Sequence, residues 1–457
     1  MKKKTAILAL LLATSFLTAC AQTPDYARPA VETPAAFAGQ DAGLSETAID
    51  PSWWTNFGSP ELNELMDQAL AGNTDLRAGV HRIEQARAAL KIARADLYPS
   101  IGASAGAGRS FSRGGDTPDR ADSNVSAGVD VSYELDLFGR VRANTQASRA
   151  SLAATEFDQE ALRLIVMGDV AGGYFTLVNL RERLAIADEN LANAREVQRI
   201  VKARFDAGSV SQLDLSQQNV QVATREASRA SLAAQATQAQ NALAVLTGRA
   251  PEGFKAQGQK LKNINVPKIV AGQPSSLLER RPDIRASESA LIAANADIGV
   301  ARAAMFPSIT LGSGIGLAAA GFGNPATTAI DLLANVAAPL FQGGRLKAGV
   351  ELATARQKEL AENYRSVVLV SFREVEDAMA ALKAAHLRES ALSTALSEAR
   401  KAYSLSRQQY EAGAIDFQSV LTTQDALLSA QDSYAQTRLE ALLASIDLYK
   451  ALGGGWQ

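Results

Sequence analysis

The sequence predicts an α+β membrane protein in which one structural unit, helices plus a strand pair, is written twice. An internal repeat is the first observation behind this. Ala95-Asp96-Leu97-Tyr98-Pro99-Ser100-Ile101 returns as Ala303-Ala304-Met305-Phe306-Pro307-Ser308-Ile309, and Leu137-Phe138-Gly139-Arg140 as Leu340-Phe341-Gln342-Gly343-Gly344-Arg345. Arg204-Phe205-Asp206-Ala207-Gly208 likewise returns as Gln409-Tyr410-Glu411-Ala412-Gly413. The offset is 208 from Pro99 to Pro307 and 205 from both Arg140 to Arg345 and Gly208 to Gly413, so it holds along the chain. A constant long offset marks a duplication, not a solenoid of short repeats. The second observation is one pair of alternating, strand-like segments in each copy. The third is a proline-free stretch of 66 residues after each pair, Arg140 to Phe205 and Arg345 to Tyr410.

The N-terminus reads Met1-Lys2-Lys3-Lys4, then an apolar run from Ala6 to Leu17. A positive region followed by a short apolar one is the pattern of a secretory signal peptide. The run is shorter than the ~20 apolar residues of a spanning helix. It ends in Leu17-Thr18-Ala19-Cys20, which resembles a bacterial lipobox, whose cysteine is lipidated and becomes the first mature residue. Residues 1–19 are therefore read as signal peptide and Cys20 as the lipidation site. Cys20 is the single cysteine, which excludes an intrachain disulfide. Ala21 follows it, not the aspartate that retains many such lipoproteins at the inner membrane, so sorting to the outer membrane is favoured. Residues 20–50 carry Pro24, Pro29 and Pro34 and have no composition for a core; they are expected to form an extended tether lying on the body.

The first structural repeat spans 51–250. Pro60 to Leu97 is helical by pattern, with Ser59 placed to cap, Pro60 in the first turn, an expected break at Gly72-Asn73 and Pro99 as the stop. A β-hairpin follows over 98–138. Val125, Ala127, Val129, Val131, Tyr133, Leu135 and Leu137 alternate with Ser126, Gly128, Asp130, Ser132, Glu134 and Asp136, which puts the apolar side chains on one face. Ile101 to Ala107 alternates more weakly, and Arg109 to Asn124 reads as a solvated loop. The long helix 140–205 rises ~100 Å at 1.5 Å per residue. Leu177, Leu180, Leu184, Ala187, Leu191 and Ala194 form a coiled-coil seam along it. Gly208 breaks it, and a return helix occupies 211–247.

A connector, 251–276, holds Pro251, Pro267 and Pro274, with a short strand expected over Asn263 to Val270. The second repeat, 277–457, opens with Leu277-Leu278-Glu279-Arg280-Arg281-Pro282-Asp283-Ile284, with Pro282 starting a helix. Its β-hairpin covers 307–340, with strands from Ile309 to Leu317 and from Thr328 to Leu340. The long helix 345–410 and a return helix 415–452 follow, broken at Gly413. The seam of this copy begins at Leu382 and Ala385 but meets Glu389, which makes it less regular.

A ribbon with a lipid-facing side cannot sit in a bilayer with open edges, because its unpaired backbone groups would find no water. Four strands are too few to close, since the smallest membrane barrels use ~8. The chain must therefore find companions, and the long helices must bury their seams against each other in a second, helical tube.

The lipobox, Trp53-Trp54-Thr55-Asn56-Phe57 with Leu62-Asn63, the Leu-Leu-Glu-Arg-Arg-Pro-Asp run and the doubled hairpin-plus-long-helix plan together resemble the TolC/OprM-type outer-membrane factors. The NodT-like lipoprotein branch of RND efflux systems is the nearest likeness, over essentially the whole mature chain. The resemblance implies a trimeric 12-stranded β-barrel, four strands per chain, continuous with a long periplasmic α-helical barrel. It implies a homotrimer, lipid-anchored in the cell outer membrane and extending into the periplasm. The implied partners are a periplasmic adaptor (membrane fusion protein), an inner-membrane RND-type transporter and outer-membrane lipid. The implied role is the outer-membrane channel of a tripartite efflux pump, a passive exit duct for small molecules, with no enzymatic activity and no cofactor.

That family closes its periplasmic gate with polar links. An aspartate six residues after the first tip glycine corresponds to Asp214, and a tyrosine three before the second corresponds to Tyr410. The family's arginine two residues after the second tip glycine, and its carboxylates six and nine after, are replaced by Ile415, Ser419 and Thr422; Asp416 is the candidate substitute. A polar residue and a packing aromatic near a helix end form the competing reading. Gly208, Ser209, Gly413 and Ala414 are the expected adaptor-docking tips. Asp130, Glu134 and Asp136 are expected on the lumen side, where rings of carboxylates favour cations or simply solvate the wall.

Balanced charge, 46 Lys+Arg against 48 Asp+Glu, and the lack of a polybasic run exclude nucleic acid as a partner. His81 and His386 are the two histidines and neither has ligand-spaced neighbours, so no metal site is expected. Gly102, Gly106 and Gly108 lie in a strand, not before a helix, so they form no dinucleotide loop. An exit duct for type I protein secretion or heavy-metal export shares the whole pattern. A periplasmic adaptor or a structural coiled-coil lipoprotein shares the lipobox and coiled coils but not two copies of strand pair then long helix.

Overall fold

The helical start of each copy is set by its capping chemistry. A computed structural model describes residues 22–38, 49–112 and 120–456; the signal peptide and Cys20 lie outside the described residues. Trp53–Phe57 make a 3-10 turn, and helix α1 spans Pro60–Gly72, its Ser59 hydroxyl accepting from the Leu62 amide at 3.3 Å. Helix α2, Thr74–Ala95, begins where the Asn73 side chain accepts from the amides of Asp75 and Leu76 at 2.9 and 3.1 Å. The chain then runs through β1 Ser100–Ser112, β2 Arg120–Leu135, α3 Arg140–Asp206 and α4 Gln212–Leu246. After the connector and a helical turn at Leu277–Arg280 come α5 Pro282–Ala303, β3 Ser308–Ala319, β4 Thr327–Ala337, α6 Arg345–Glu411 and α7 Phe417–Ala451.

Three expectations differ from these bounds. In the stretch Arg109 to Asn124, expected as a loop, Arg109–Ser112 and Arg120–Asn124 are strand: Arg109 pairs with Ser123 and Ser112 with Arg120. Ladder hydrogen bonds join backbones, so pairing continues past the apolar rows into polar sequence. The strand expected over Asn263 to Val270 is absent; a 3-10 turn at Leu261–Asn263 is followed by irregular chain that donates from the Asn265 amide to the Phe57 carbonyl at 3.0 Å. The last strand also stops at Ala337, before Pro339, which has no amide to donate to a ladder.

The four strands form one antiparallel sheet in the order β1-β2-β3-β4, so β1 and β4 are its open edges. The register aligns the apolar residues of all four. Ala103, Val129, Ile315 and Ile330 share one row, and Ile101, Val131, Ser313 and Leu332 the next row of that face. None of the described residues covers the β4 part of this face: Ile330 is 73% and Leu332 81% exposed.

The chain divides into two compact units, and each draws on both copies. One comprises residues up to Ala30, His81–Phe157 and Ala286–Ser366; the other comprises Val31–Val80, Asp158–Arg285 and Val367–Gln457. Equivalent parts of the two copies therefore pack together, and the repeats do not fold as separate halves. Both long helices begin in the first unit and end in the second.

In the first unit, residues 23–28 run along α5. Thr23 lies over Gly299, the Pro24 carbonyl accepts from Asn295 at 2.7 Å, and Arg28 forks onto the buried Glu288 at 2.6 and 2.8 Å. Tyr26 also donates to Glu288 at 3.3 Å, and burial together with that carboxylate pushes its phenol well up. The match is geometric: five extended residues and eleven helical ones both cover ~17 Å.

The second unit holds the main core. Trp53 stacks on Tyr449 with centroids 5.0 Å apart, and Phe57 meets Phe175 at 4.9 Å. Ser59 donates to Tyr174, which donates to Glu61, and Glu61 in turn accepts from the connector amides of Gln257 and Gly258. Arg281 of the Arg-Arg-Pro-Asp run is buried; it forks onto Asp283, pairs with Glu374 of α6 at 2.7 Å and donates to the Ala451 carbonyl at the end of α7 at 3.0 Å. The apolar stretch of α3, long enough to cross a bilayer by composition, is mostly buried in this core.

All four long-helix ends close the same way. Ser209, Arg249, Ala414 and Gly454 each return their amide to a carbonyl five residues back at 2.8 or 2.9 Å, with a positive-φ glycine at 208, 248, 413 and 453. Gly248 carries an extra restriction, because a Cβ there would collide with the Gly72 carbonyl at the end of α1. Gly248→Val should therefore destabilise the protein by about 1–3 kcal/mol from backbone strain alone, with the clash adding to it. An unchanged thermal midpoint would contradict this close approach.

Candidate functional site

The candidate functional residues sit on two surfaces, the helix ends of the second unit and the polar face of the sheet in the first. At the helix ends, α3 and α6 stop at Gly208 and Gly413, whose surroundings leave open space for a side chain. Gly208, Ser209, Gly413 and Ala414 are all exposed. The start of α4 is a capping box: Ser211 accepts from the Asp214 amide at 3.2 Å, and the Asp214 carboxylate accepts from the Ser211 amide and hydroxyl at 2.9 and 2.8 Å. The start of α7 uses the same pair in reverse. Asp416 is the cap and accepts from the Ser419 amide at 2.8 Å and hydroxyl at 2.6 Å. These two bonds hold the Asp416 carboxyl below its usual range.

Within the chain, then, Asp214 and Asp416 organise their own helix starts. Asp214 makes no bond to Tyr410, whose hydroxyl has no hydrogen-bond partner among the described residues. Tyr410 instead packs into a cluster with Val197, Val201, Tyr403, Phe417 and Val420. It is the end of the α6 seam, which continues from Ala385 through Glu389, Leu392, Leu396, Ala399, Tyr403 and Ser406 in alternating steps of four and three. Glu389, the apparent break, is accommodated by an ion pair with Arg438 at 2.9 Å.

Polar bonds tie the first copy's helices to the second copy's. From α3, Asn179 donates to the Ala435 carbonyl at 2.7 Å, Arg183 pairs with Asp432 at 2.5 Å, and Asn190 donates to Gln431 at 2.9 Å. From α4, Arg225 pairs with Asp425 at 3.0 Å, its guanidinium buried and its Nε without a partner among the described residues. These cross-copy partners lie 200 to 256 residues apart, and no motif announces them.

Of the three expected lumen carboxylates, Asp130 and Glu134 lie on the sheet face opposite the apolar rows and Asp136 follows β2; they differ in employment. Glu134 is gripped by Arg140 through two bonds of 3.1 and 2.8 Å. Asp136 caps α3, accepting from the Val141 and Arg142 amides at 3.0 and 2.9 Å and pairing with Arg142. Asp130 is in neither kind of bond; its carboxylate lies over Gly102. Its row reads Gly102, Asp130, Gly314, Asp331, so a second carboxylate shares its level. Sequence reasoning did not single out Asp331, although its place between Ile330 and Leu332 in the alternating run puts it on the polar face. His81 pairs with Glu84 on the surface, and no metal-ligating cluster occurs among the described residues.

With this geometry in place, comparisons with known proteins identify the architecture. The model of the outer membrane efflux protein family matches residues 65–249 and 273–454, once for each copy of the repeat. The chain is 38% identical to the pyoverdine export outer membrane protein OpmQ of Pseudomonas aeruginosa, covering 98% of this chain and 97% of that one. It is 32% identical to the cation efflux system protein CusC of Escherichia coli K12, over 96% and 97% of the two chains. The solved open state of the MtrE outer membrane channel of Neisseria gonorrhoeae superposes with a TM-score of 0.84 at 31% identity, covering 96% of this chain and 99% of that one. The family is one of transport channels, not of enzymes. The chain therefore belongs to the outer membrane efflux protein family and is one subunit of a trimeric α+β efflux channel of the outer membrane, reaching into the periplasm.

Proposed function

We propose that three copies form the passive exit duct of a tripartite pump whose inner-membrane transporter is of the RND type and whose periplasmic adaptor is a membrane fusion protein. The observation that carries this is the sheet: four strands, one uncovered apolar face and two open edges. Three copies supply twelve strands, enough to close a barrel that four cannot. The transporter selects the cargo, and the duct passes small molecules. The relationship to CusC makes metal-cation export the second reading.

Four further assignments belong to this reading. Cys20 carries the lipid that anchors the chain in the outer membrane. It lies three residues before Thr23, hence within ~11 Å of chain reach, and Thr23 sits near the end of α5 that leads into β3. The exposed tips Gly208, Ser209, Gly413 and Ala414 dock the adaptor. The gate lies just above them, at the cluster holding Tyr410, with Asp214 and Asp416 fixing the helix starts on either side of it. The row of Asp130 and Asp331 faces the lumen and favours cations.

Purified protein is expected to run as a heat-modifiable trimer and to open channels in planar lipid bilayers; a water-soluble monomer without a pore would overturn the proposal. Cys20→Ala should abolish lipid labelling, and persistent labelling would remove the anchor assignment. Bulky substitutions at Gly208 or Gly413 should weaken crosslinking to the adaptor and lower export, and normal crosslinking would refute docking at the tips. Replacing both Asp130 and Asp331 by lysine should move the single-channel reversal potential towards anions, while an unaltered potential would contradict the carboxylate row.

A further inference from the structure

A cation covers one face of the Tyr410 ring, and it comes from the other copy of the repeat. The Arg204 guanidinium carbon on α3 stands 4.5 Å from the ring centroid. The Tyr410 ring also meets Phe417 at 5.6 Å between centroids, so it is held in place by the hydrophobic cluster. Arg204 further approaches the carbonyl oxygens of Tyr410 and Glu411, each at 3.5 Å. Those are among the last carbonyls of α6, where the helix end carries partial negative charge. The guanidinium thus sees two attractions at once, a π face and a helix C-terminus, both on the second copy.

Divergence between the copies makes this contact one-sided. The position equivalent to Arg204 is Gln409, and the position equivalent to Tyr410 is Phe205. No cation lies over Phe205 among the described residues. One copy supplies the cation and the other the ring, so the pair is a cross-copy fastening and not a repeated element of helix packing. The arginine that the family pattern places two residues after the second glycine is Ile415 here, so a guanidinium reaches the same helix end from α3 instead.

The geometry points to Arg204 as the latch that holds the tip of the second copy to that of the first in the resting channel, acting through the Tyr410 ring and not its hydroxyl. This rests on the reading of the helix tips as the periplasmic gate. Arg204 is a positioning residue: opening would part α3 from α6, and the latch sets how often that happens. Lysine cannot replace it fully, because an ammonium lacks the planar fork that lies flat on a ring.

The test is resting conductance of the purified full-length trimer in planar bilayers, with trimer content checked on gels. Arg204→Ala and Tyr410→Leu should each raise the open fraction about two- to thirty-fold, and the double variant should add little to either, as coupled residues do. Arg204→Lys should fall between. Tyr410→Phe, which keeps the ring, should restore the low resting conductance that leucine loses. Leakage in Tyr410→Phe equal to that in Tyr410→Leu would overturn the ring latch in favour of a hydroxyl link. Arg225→Asp, which sets two carboxylates against each other at Asp425, separates the two levels of the claim. If it opens the channel while Arg204→Ala does not, the latch is wrong and the gate stands; if neither opens it, both fall.

Discussion

Backbone satisfaction in lipid is the constraint on which the structure depends. A four-stranded sheet leaves a row of amides and carbonyls at β1 and another at β4. In water such edges are a nuisance; in hydrocarbon each unpaired group costs several kcal/mol. Joining β4 of one chain to β1 of the next removes both edges at every junction. The apolar rows have the same logic. A face carrying Ile330 and Leu332 almost fully exposed is unstable in water and suited to acyl chains.

Duplication is how the chain builds a wall from few kinds of part. Each copy provides a hairpin, a helix of 67 residues and a return helix of 35, and the equivalent parts pack in shared units. The copies keep their geometry while exchanging chemistry. The Ser211 and Asp214 box reappears as Asp416 and Ser419 with the two residues exchanged between positions, the carboxylate accepting from the serine amide and hydroxyl in both, so the same helix start is made twice by different means. At the neighbouring helix ends the exchange makes a contact one-sided, since Arg204 meets Tyr410 while their equivalents are Gln409 and Phe205.

Much of this was legible in the chain itself. Period-two alternation marked the strands because lipid and lumen impose opposite demands on alternate side chains. The long helices were readable from the absence of proline and from the glycines that end them. What escaped was non-local. Arg109 to Asn124 looked like a loop, but the backbone of its two ends, Arg109–Ser112 and Arg120–Asn124, pairs irrespective of side-chain polarity. Asp130, Glu134 and Asp136 looked alike in the alternating run, yet Arg140 and the start of α3 claim two of them, and Asp331 belongs with the third through a register that no single strand contains. Glu389 looked like a flaw in a seam because its partner, Arg438, lies on another helix. Each miss comes from an interaction made across the fold.

An even number of antiparallel strands per chain has a final consequence. The sheet begins with β1 after a helix and ends with β4 before one, so the polypeptide enters and leaves it on the same side. Among the described residues, Ser112 and Arg120 and the segment between Ala319 and Thr327 mark the opposite end of the sheet. In an outer-membrane channel whose helices reach into the periplasm, that end of the sheet is the part of each subunit turned towards the cell's surroundings.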